Sequence, residues 1–321
     1  MTTKTTLILG ATGQDGSLIS KSLLQKGHQI IALTRGISQS CENFKKLGID
    51  RDINTIQCDI RSFSALSKII DKYSPTTIFN LAGQSSVGKS FSEPHKTTDS
   101  ILNVSLNILE IARKLEYKGK IFFAGSSEMF GNIEDKADIY HLQKPNSPYA
   151  IAKQASFNLV KMYRDIYNIK CMTGVLFNHE SNLRPETFVT QKIIRTAQEI
   201  RKNKKKKLEV GNIEIIRDWG WAPEYINAIQ LISESNIIKD HIICSGNAVS
   251  LKSFIQKVFT KLELDWKKYI VINKKFFRAS DINRSCGDPL PLFNELGWKA
   301  KIDIDSIIER MMNLERSIDF E

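Results

Sequence analysis

The chain has 321 residues, 41% of them hydrophobic, so it can bury a sizeable core and is not expected to be disordered. Its formal net charge is +11, yet the one dense basic run, residues 201–207, has no nucleic-acid recognition motif, so we expect a phosphate-bearing substrate and no nucleic acid. It has no apolar run long enough to cross a bilayer, no export signal and no CxxC pair among its five cysteines, which predicts a soluble cytoplasmic protein without a metal site.

Short apolar runs alternate with longer periodic runs in the first half, which is typical of parallel strands joined by crossover helices. The predicted strands are 6–9, 29–33, 54–58, 77–80 and 120–124. The predicted helices are 18–26, 64–73 and 98–115. This order predicts an α/β fold with a doubly wound parallel sheet, the Rossmann arrangement.

Beyond residue 170 the alternation fades, although 171–177 still has the pattern of a strand that could join the same sheet. The predicted helices of this part are 189–202, 222–233, 250–261 and 303–314. We therefore expect a Rossmann domain over residues 1–177 and a smaller lobe over 178–321, with some segments able to interleave with the first domain.

Three glycines follow the first strand and lead into a helix, with the spacing GxxGxxG. Gly10 permits the tight turn, Gly13 lets the backbone approach a pyrophosphate, and Gly16 lets helix and strand pack closely. The start of the helix supplies N–H donors and a favourable dipole for phosphate. A plain turn between strand and helix is the alternative, but the strand, turn and helix in sequence favour a dinucleotide site.

Arg35 follows the second strand, where dinucleotide enzymes place the group that meets the adenosine ribose. A guanidinium there would pair with a 2′-phosphate and favour NADP over NAD, whereas a surface arginine without a ligand remains an equal interpretation of this residue alone. The residues predicted to contact the cofactor from these segments are Gly10, Thr12, Gly13, Gln14, Asp15, Gly16, Arg35, Asp59, Ile60, Leu81 and Ala82.

Tyr149 and Lys153 lie four residues apart in a predicted helix, so their side chains share one face. A nearby ammonium should lower the pKa of the tyrosine and make it a general base. Ser126 and Glu128 lie at the carboxyl end of the predicted strand 120–124, the edge where α/β folds place chemistry. These four residues are the predicted catalytic set.

Together the motifs resemble the GDP-mannose 4,6-dehydratase family over essentially the whole chain. They are GATGQDGS (10–17), SSE (126–128), SPYAIAK (147–153), LFNHES (176–181), ETFVTQKI (186–193), RDWG (217–220) and GDP with LGWK (287–299). The block from LFNHES through ETFVT is more specific than the glycines, which many families share.

The resemblance implies a redox-neutral lyase reaction. Tyr149, assisted by Lys153 and Ser126, would deprotonate the hydroxyl on carbon 4 of the sugar while hydride passes to a bound nicotinamide. The resulting ketone would acidify the proton on carbon 5, which Glu128 would remove. Water would leave carbon 6, where the hydride returns, giving a 4-keto-6-deoxy sugar nucleotide.

The resemblance also assigns binding residues. His179 and Arg184, with Tyr149 and Lys153, would contact the nicotinamide cofactor. The implied contacts to the GDP-sugar are Ser85, Ser127, Asn178, Glu186, Lys192, Arg217, Arg278 and Asp281. A homo-oligomer, either a dimer or a tetramer, is expected by the same resemblance.

The chain departs from the family at a few positions. Gly36 and residues 37–41 stand where the family has a second arginine within a basic loop that reaches a neighbouring subunit. This departure leaves two questions open, whether the cofactor is NADP or NAD and whether the oligomer is a dimer or a tetramer. Ser126 replaces the usual threonine, and Lys96 replaces a tyrosine. A related sugar such as a GDP-heptose would use the same contacts.

Other functions remain as alternatives. A sugar-nucleotide 4-epimerase or 4-reductase would use the same tyrosine, lysine and glycines, but neither needs the carboxylate of Glu128. A Rossmann protein that only binds nucleotide or RNA would not need the catalytic set.

Overall fold

The computed structural model describes residues 4–36 and 41–313. In chain order, the strands of this part are β1 (Thr5–Leu9), β2 (Gln29–Thr34), β3 (Asn54–Gln57), β4 (Thr77–Asn80), β5 (Lys120–Ser126), β6 (Cys171–Leu176), β7 (Asn178–Glu180), β8 (Leu208–Val210), β9 (Ile216–Trp221), β10 (His241–Ile243), β11 (Ala248–Ser250), β12 (Ile270–Ile272) and β13 (Arg284–Ser285). Its helices are α1 (Gln14–Gln25), α2 (Glu42–Leu47), α3 (Phe63–Tyr73), α4 (Val87–Ser92), α5 (Pro94–Thr98), α6 (Val104–Lys114), α7 (Pro148–Tyr167), α8 (Val189–Lys202), α9 (Ala222–Glu234), α10 (Leu251–Lys261), α11 (Leu290–Leu296) and α12 (Ile304–Met312).

Within these residues, a central sheet of seven parallel strands has the order β10-β6-β5-β4-β1-β2-β3. The chain builds β1, β2 and β3 outward in one direction and then returns to place β4 on the other side of β1. A crevice forms at such a reversal, outside the carboxyl ends of the strands. The predicted fold class is confirmed, and the crevice lies between β1 and β4.

Helices cover both faces of the sheet, because successive strand residues point to opposite sides. Ile8 packs with α1, α2 and α9 on one face. Leu7 and Leu9 pack with α3, α6 and α7 on the other. Burial on both faces explains why the strands of this sheet are apolar runs and not alternating patterns.

The second lobe is built on β9, which pairs with β7, β11 and β13. Its core is formed by α8, α10 and α12 against these strands and the β8–β12 pair. Two segments from this half pack elsewhere: β10 forms the edge of the central sheet, and α9 packs on its face.

Asp218 on β9 anchors the loop between β10 and β11. Its side chain is fully buried. One carboxylate oxygen accepts from the Ser245 N–H at 3.0 Å and from the Ser245 hydroxyl at 2.6 Å, and the other accepts from the Gly246 N–H at 2.9 Å. These bonds satisfy a carboxylate that would be costly to bury alone.

Several predicted boundaries differ from the observed ones. The predicted helix 18–26 begins earlier, at Gln14, because the Gly13 turn leads directly into it. The predicted strand 120–124 continues to Ser126. The predicted helix 98–115 is interrupted by a π-helical turn, Asp99–Asn103, in which the Ser100 hydroxyl accepts from the backbone N–H of Gln84 at 3.2 Å. Such turns often occur near functional sites, and this one supports the loop after β4.

The helix predicted over 303–314 ends at Met312, and residue 314 lies outside the described part. Across residues 4–36 and 41–313, none of the helices is both long and apolar enough to span a membrane. The same residues include no group of three or more His, Cys, Asp or Glu side chains that could hold a metal ion.

Candidate active site

The glycine-rich turn lies at the crevice between β1 and β4. Gly10 has a φ of +77°, which disfavours other residues, and a Cβ atom there would lie 2.8 Å from the backbone of Leu81 and Ala82. A Cβ atom on Gly16 would lie 2.3 Å from the Gly10 carbonyl oxygen. The fold therefore requires glycine at both positions and brings the turn against the residues after β4.

The first turn of α1 can hold a pyrophosphate. Its N-cap, Gly13, provides no side-chain hydrogen bond, so the N–H groups of the first turn face the crevice without a capping side chain. The Gln14 amide is committed elsewhere, to Asp15 at 3.0 Å and to the His179 carbonyl at 3.2 Å. The site fits a dinucleotide through backbone donors.

Arg35 and Asp59 lie together beyond the ends of β2 and β3. The Arg35 carbonyl accepts from the Gln57 side chain at 3.2 Å. Two bonds from the Arg61 guanidinium, at 2.9 and 2.8 Å, are the main reason that the pKa of Asp59 is lowered, and the charge of Arg35 adds to the effect. Sequence reasoning missed Arg61. The departure at 37–40 lies outside the described residues.

Asp15 and His179 form a buried ion pair between α1 and β7. The His179 Nε2 atom lies 3.0 Å from both Asp15 carboxylate oxygens, and Nδ1 lies 2.7 Å from the Phe177 carbonyl oxygen. Because both ring nitrogens face acceptors, the ring is held as a doubly donating imidazolium. Burial opposes these charges, but the pair lowers the pKa of Asp15 to about 2 and raises the pKa of His179.

His179 and Arg184, two of the predicted cofactor residues, make contacts within the protein. The ring of His179 is occupied by Asp15 and Phe177 and stacks on Tyr225, with ring centroids 4.8 Å apart. Arg184 donates to the His179 carbonyl at 3.3 Å and lies 3.1 Å from Glu180. The ion pair therefore fastens the LFNHES segment to the glycine-rich turn.

Replacement of Asp15 by asparagine is expected to destabilise the fold by about 2 kcal/mol at neutral pH. The lowered pKa of Asp15 stabilises the folded state above its ordinary pKa of 3.8, and this contribution is lost as the pH falls towards about 2. Denaturant unfolding at a series of pH values would measure the difference, which should shrink on acidification. Asp71→Asn, an exposed carboxylate, is the control. A difference independent of pH would contradict the ion pair.

Ser126 and Glu128 lie at the carboxyl end of β5, where the strand turns into the short 3-10 helix Ser127–Phe130. The Ser126 hydroxyl accepts from the Glu128 backbone N–H at 3.3 Å and bonds to the hydroxyl of Tyr149. Ser127 is buried in the same turn. The turn thus holds a hydroxyl and a carboxylate at the sheet edge.

Tyr149 and Lys153 reach the same edge from the first turns of α7. The helix begins here because Pro148 stands at its first position and the Ser147 hydroxyl accepts from the Ala150 N–H at 3.1 Å. The Lys153 ammonium donates to the Ala124 carbonyl at 2.7 Å and lies 5.9 Å from the centre of the Tyr149 ring. Both side chains are buried.

The expected lowering of the tyrosine pKa is not observed. Burial raises the pKa of Tyr149 to about 12; the hydrogen bond from Ser126 opposes this, and the charge of Glu128 adds to it. Lys153 is turned to the Ala124 carbonyl, and burial lowers its own pKa to about 8. The prediction was wrong because it weighed the ammonium and left out the cost of burying a phenolate.

Glu128 faces the phenol of Tyr149 and two arginines from the second lobe. Burial raises the pKa of Glu128, while Arg278 and Arg217 act to lower it. Arg278 lies 4.0 Å from Glu128 and 3.8 Å from Asp281, and Arg217 lies 3.3 Å from Asp281. Residues 126, 128, 149, 217, 278 and 281 therefore form one cluster, although they are far apart in the chain.

The remaining predicted substrate residues are more peripheral. Ser85 is exposed after β4, Asn178 is half-buried on β7, and Glu186 is exposed, 3.7 Å from Arg195. The Lys192 ammonium donates to the Glu209 carbonyl at 2.7 Å and lies 3.9 Å from the centre of the half-exposed Phe276 ring. Sequence reasoning did not include Phe276 among the neighbours of Lys192. Only its place two residues before Arg278 could have indicated that it lies near a predicted substrate residue.

Two cavities lie away from this cluster. One, of about 700 Å³, is at the opposite, amino-terminal edge of the sheet, lined by residues such as Lys4, His28 and Lys120. The other, of about 540 Å³, is beside Lys136 and Gly246. Neither is lined by a predicted catalytic residue, so the chemistry is assigned to the cluster and not to the larger cavity.

The chain is similar to known proteins over nearly its whole length. The family described as "GDP-mannose 4,6 dehydratase" matches residues 7–311. GDP-mannose 4,6 dehydratase 1 of Arabidopsis thaliana is 33% identical over 97% of this chain and 89% of its own length. The structure of dTDP-glucose 4,6-dehydratase from Bacillus anthracis with NAD has a TM-score of 0.85 at 18% identity, covering 97% of this chain and 96% of that one. RMD from Pseudomonas aeruginosa with NADPH has a TM-score of 0.79 at 19% identity, covering 97% and 98%. The chain belongs to the GDP-mannose 4,6-dehydratase family.

Proposed function

We propose that this chain dehydrates GDP-mannose, or a closely related GDP-sugar, to the 4-keto-6-deoxy sugar nucleotide. The observation that carries this proposal is the convergence of Glu128 with Tyr149 and Ser126 at the carboxyl edge of the sheet, beside the glycine-rich turn. Oxidation at carbon 4 needs a base for the hydroxyl proton and a nicotinamide that would take the hydride, whereas loss of water across carbons 5 and 6 also needs a second base for the carbon 5 proton. Glu128 therefore favours a dehydratase over a 4-epimerase or a 4-reductase.

In this proposal each side chain has a separate proton to move or hold. Ser126 donates a hydrogen bond that stabilises the Tyr149 phenolate, and the phenolate takes the proton of the carbon 4 hydroxyl and becomes a neutral phenol. Lys153 holds α7 to the end of β5 through Ala124 and keeps a positive charge near the phenol. Glu128 removes the proton from carbon 5 after the ketone at carbon 4 has made it acidic, and this proton leaves with the carbon 6 hydroxyl as water. Carbon 5 regains a proton from solvent when hydride reaches carbon 6, and Tyr149 returns its own proton to solvent.

The residues of the crevice would hold a nicotinamide dinucleotide. The glycine-rich turn and the first turn of α1 would bind its pyrophosphate, and Arg35 and Asp59 would meet its adenosine end. A nicotinamide held there would supply the hydride chemistry, the removal of hydride from carbon 4 and its return at carbon 6. Arg217 and Arg278 would bind the diphosphate of the substrate, because guanidinium groups pair with phosphate oxygens.

Purified protein with a trace of NADP should convert GDP-mannose to a product lighter by one water, detected by mass spectrometry. A panel of other GDP-sugars, including a GDP-heptose, would define the sugar. A product of unchanged mass would instead support an epimerase. Light scattering of the same sample would test the expected homo-oligomer, either a dimer or a tetramer.

Arg35 is proposed to select NADP through the 2′-phosphate. Arg35→Ala is expected to weaken NADP about tenfold and to leave NAD nearly unchanged, because only NADP offers an anion to the guanidinium. Titration of each cofactor by fluorescence would measure both affinities. Arg201→Ala, at the exposed end of α8, is the control for the loss of one positive charge. Equal weakening of NAD and NADP would contradict a 2′-phosphate contact.

A further inference from the structure

Four charged side chains form a row beside the candidate active site. Arg217 Nη2 lies 3.3 Å from Asp281 Oδ1. The same Asp281 oxygen lies 3.8 Å from Arg278 Nη1. That same Arg278 nitrogen lies 4.0 Å from Glu128 Oε1. The row thus alternates cation, anion, cation and anion, with Glu128 at one end.

The row is electrically neutral and largely buried. The exposed fractions of the side chains are 4% for Arg217, 19% for Asp281, 34% for Arg278 and 14% for Glu128. Buried charges are tolerated when each has a partner. Asp281 therefore holds the two guanidinium groups side by side and keeps the Arg278 charge divided between two carboxylates.

Glu128 responds to every member of the row. Burial raises its pKa, Arg278 and Arg217 lower it, and Asp281 raises it. The phenol of Tyr149 faces Glu128 from α7. In the resting arrangement the two arginines thus hold Glu128 as a weaker base than its burial alone would make it.

Resting on the function proposed above, we propose that Asp281 is a positioning residue and that the row couples occupation of the diphosphate subsite to the basicity of Glu128. Two negative charges between Arg217 and Arg278 neutralise both guanidinium groups and draw Arg278 away from Glu128. Glu128 then loses its nearest cation. The base is strengthened when a sugar nucleotide is in place and held weak otherwise.

Titration of Glu128 with and without GDP tests this coupling in the unmodified protein. The chain is labelled with ¹³C at the glutamate carboxyl carbons, and the Glu128 signal is assigned by its loss in Glu128→Gln. We expect the pKa of Glu128 to be higher in the GDP complex than in the protein alone, and inorganic pyrophosphate to shift it in the same direction. An unchanged titration, in a protein whose binding of GDP is verified by calorimetry, overturns the coupling.

The variant Asp281→Asn tests the positioning role. Without Asp281, Arg278 pairs fully with Glu128 and stays closer to it when the diphosphate binds, so kcat for dehydration should fall about tenfold, while the freed Arg217 keeps KM for GDP-mannose from rising. A weaker base stays ionised at lower pH, so the acid limb of kcat/KM should move to lower pH. A residue that only contacts the nucleoside would raise KM and leave kcat unchanged, and that result overturns the proposal.

Glu309→Gln, an exposed carboxylate on α12, is the control for loss of one negative charge and should match the parent. These experiments distinguish failure of the coupling from failure of the proposed function. A parent protein that dehydrates GDP-mannose but shows no shift of Glu128 with GDP overturns the coupling alone. A parent protein that binds neither GDP nor GDP-mannose overturns both.

Discussion

Replacement of Glu128 by glutamine is expected to stop water loss and to leave oxidation at carbon 4 intact. Glutamine keeps nearly the same shape beside Arg278 and Tyr149 but cannot accept the proton from carbon 5. Dehydration should fall about a thousandfold, at the scale of a lost general base. Mass spectrometry would show no loss of water, and absorbance would show the reduced nicotinamide persisting with the oxidised sugar.

The matched control is Glu134→Gln, an exposed carboxylate on the segment that follows β5. It should dehydrate substrate at the parent rate. If Glu128→Gln also dehydrates at the parent rate, the base has been assigned to the wrong residue, whereas loss of the oxidation step as well would indicate that Glu128 only supports the fold of the site.

Replacement of Tyr149 by phenylalanine is expected to abolish the first step, with a loss of about a thousandfold or more. Phenylalanine fills the same buried space but has no hydroxyl to exchange a proton with carbon 4. In contrast to Glu128→Gln, neither water loss nor reduced nicotinamide should be detected. A single-turnover measurement of reduced nicotinamide separates the two variants.

The pH dependence of that first step gives a second readout. Burial raises the pKa of Tyr149 to about 12, so the phenolate is scarce at neutral pH and the parent rate of this step should rise with pH until Lys153, whose pKa is about 8, loses its charge. Tyr140→Phe, at a tyrosine that is 90% exposed, should behave as the parent. A Tyr149→Phe variant that still oxidises substrate would remove the tyrosine from the mechanism.

Local patterns were sufficient to predict the fold and the glycine-rich turn. The strands of the Rossmann half are continuous apolar runs because both faces of the sheet are covered, and their predicted bounds differ from the observed ones by at most two residues. Tyr149 and Lys153 could be paired from their spacing, because helix geometry places them on one face.

Contacts between distant segments could not be obtained from such patterns. The partner of His179 is Asp15, 164 residues away, and nothing near either residue indicates it. The partner of Glu128 is Arg278, which also pairs with Asp281 in a segment of the second lobe without regular structure of its own. The prediction of a lowered pKa for Tyr149 was wrong for the same reason, since burial of the phenol depends on the whole fold and not on the neighbour four residues away.

Arg217 and Asp218 are adjacent on β9, and their side chains point to opposite sides of the strand. Arg217 points towards the cluster around Glu128, while Asp218 points into the protein and gathers the N–H groups of Ser245 and Gly246. The loop that leaves the edge strand β10 of the central sheet is therefore tethered to the strand that presents the guanidinium. A shift of this loop would also move Arg217, which is proposed to bind the diphosphate, so we expect affinity for the nucleotide to depend on a carboxylate that does not contact it.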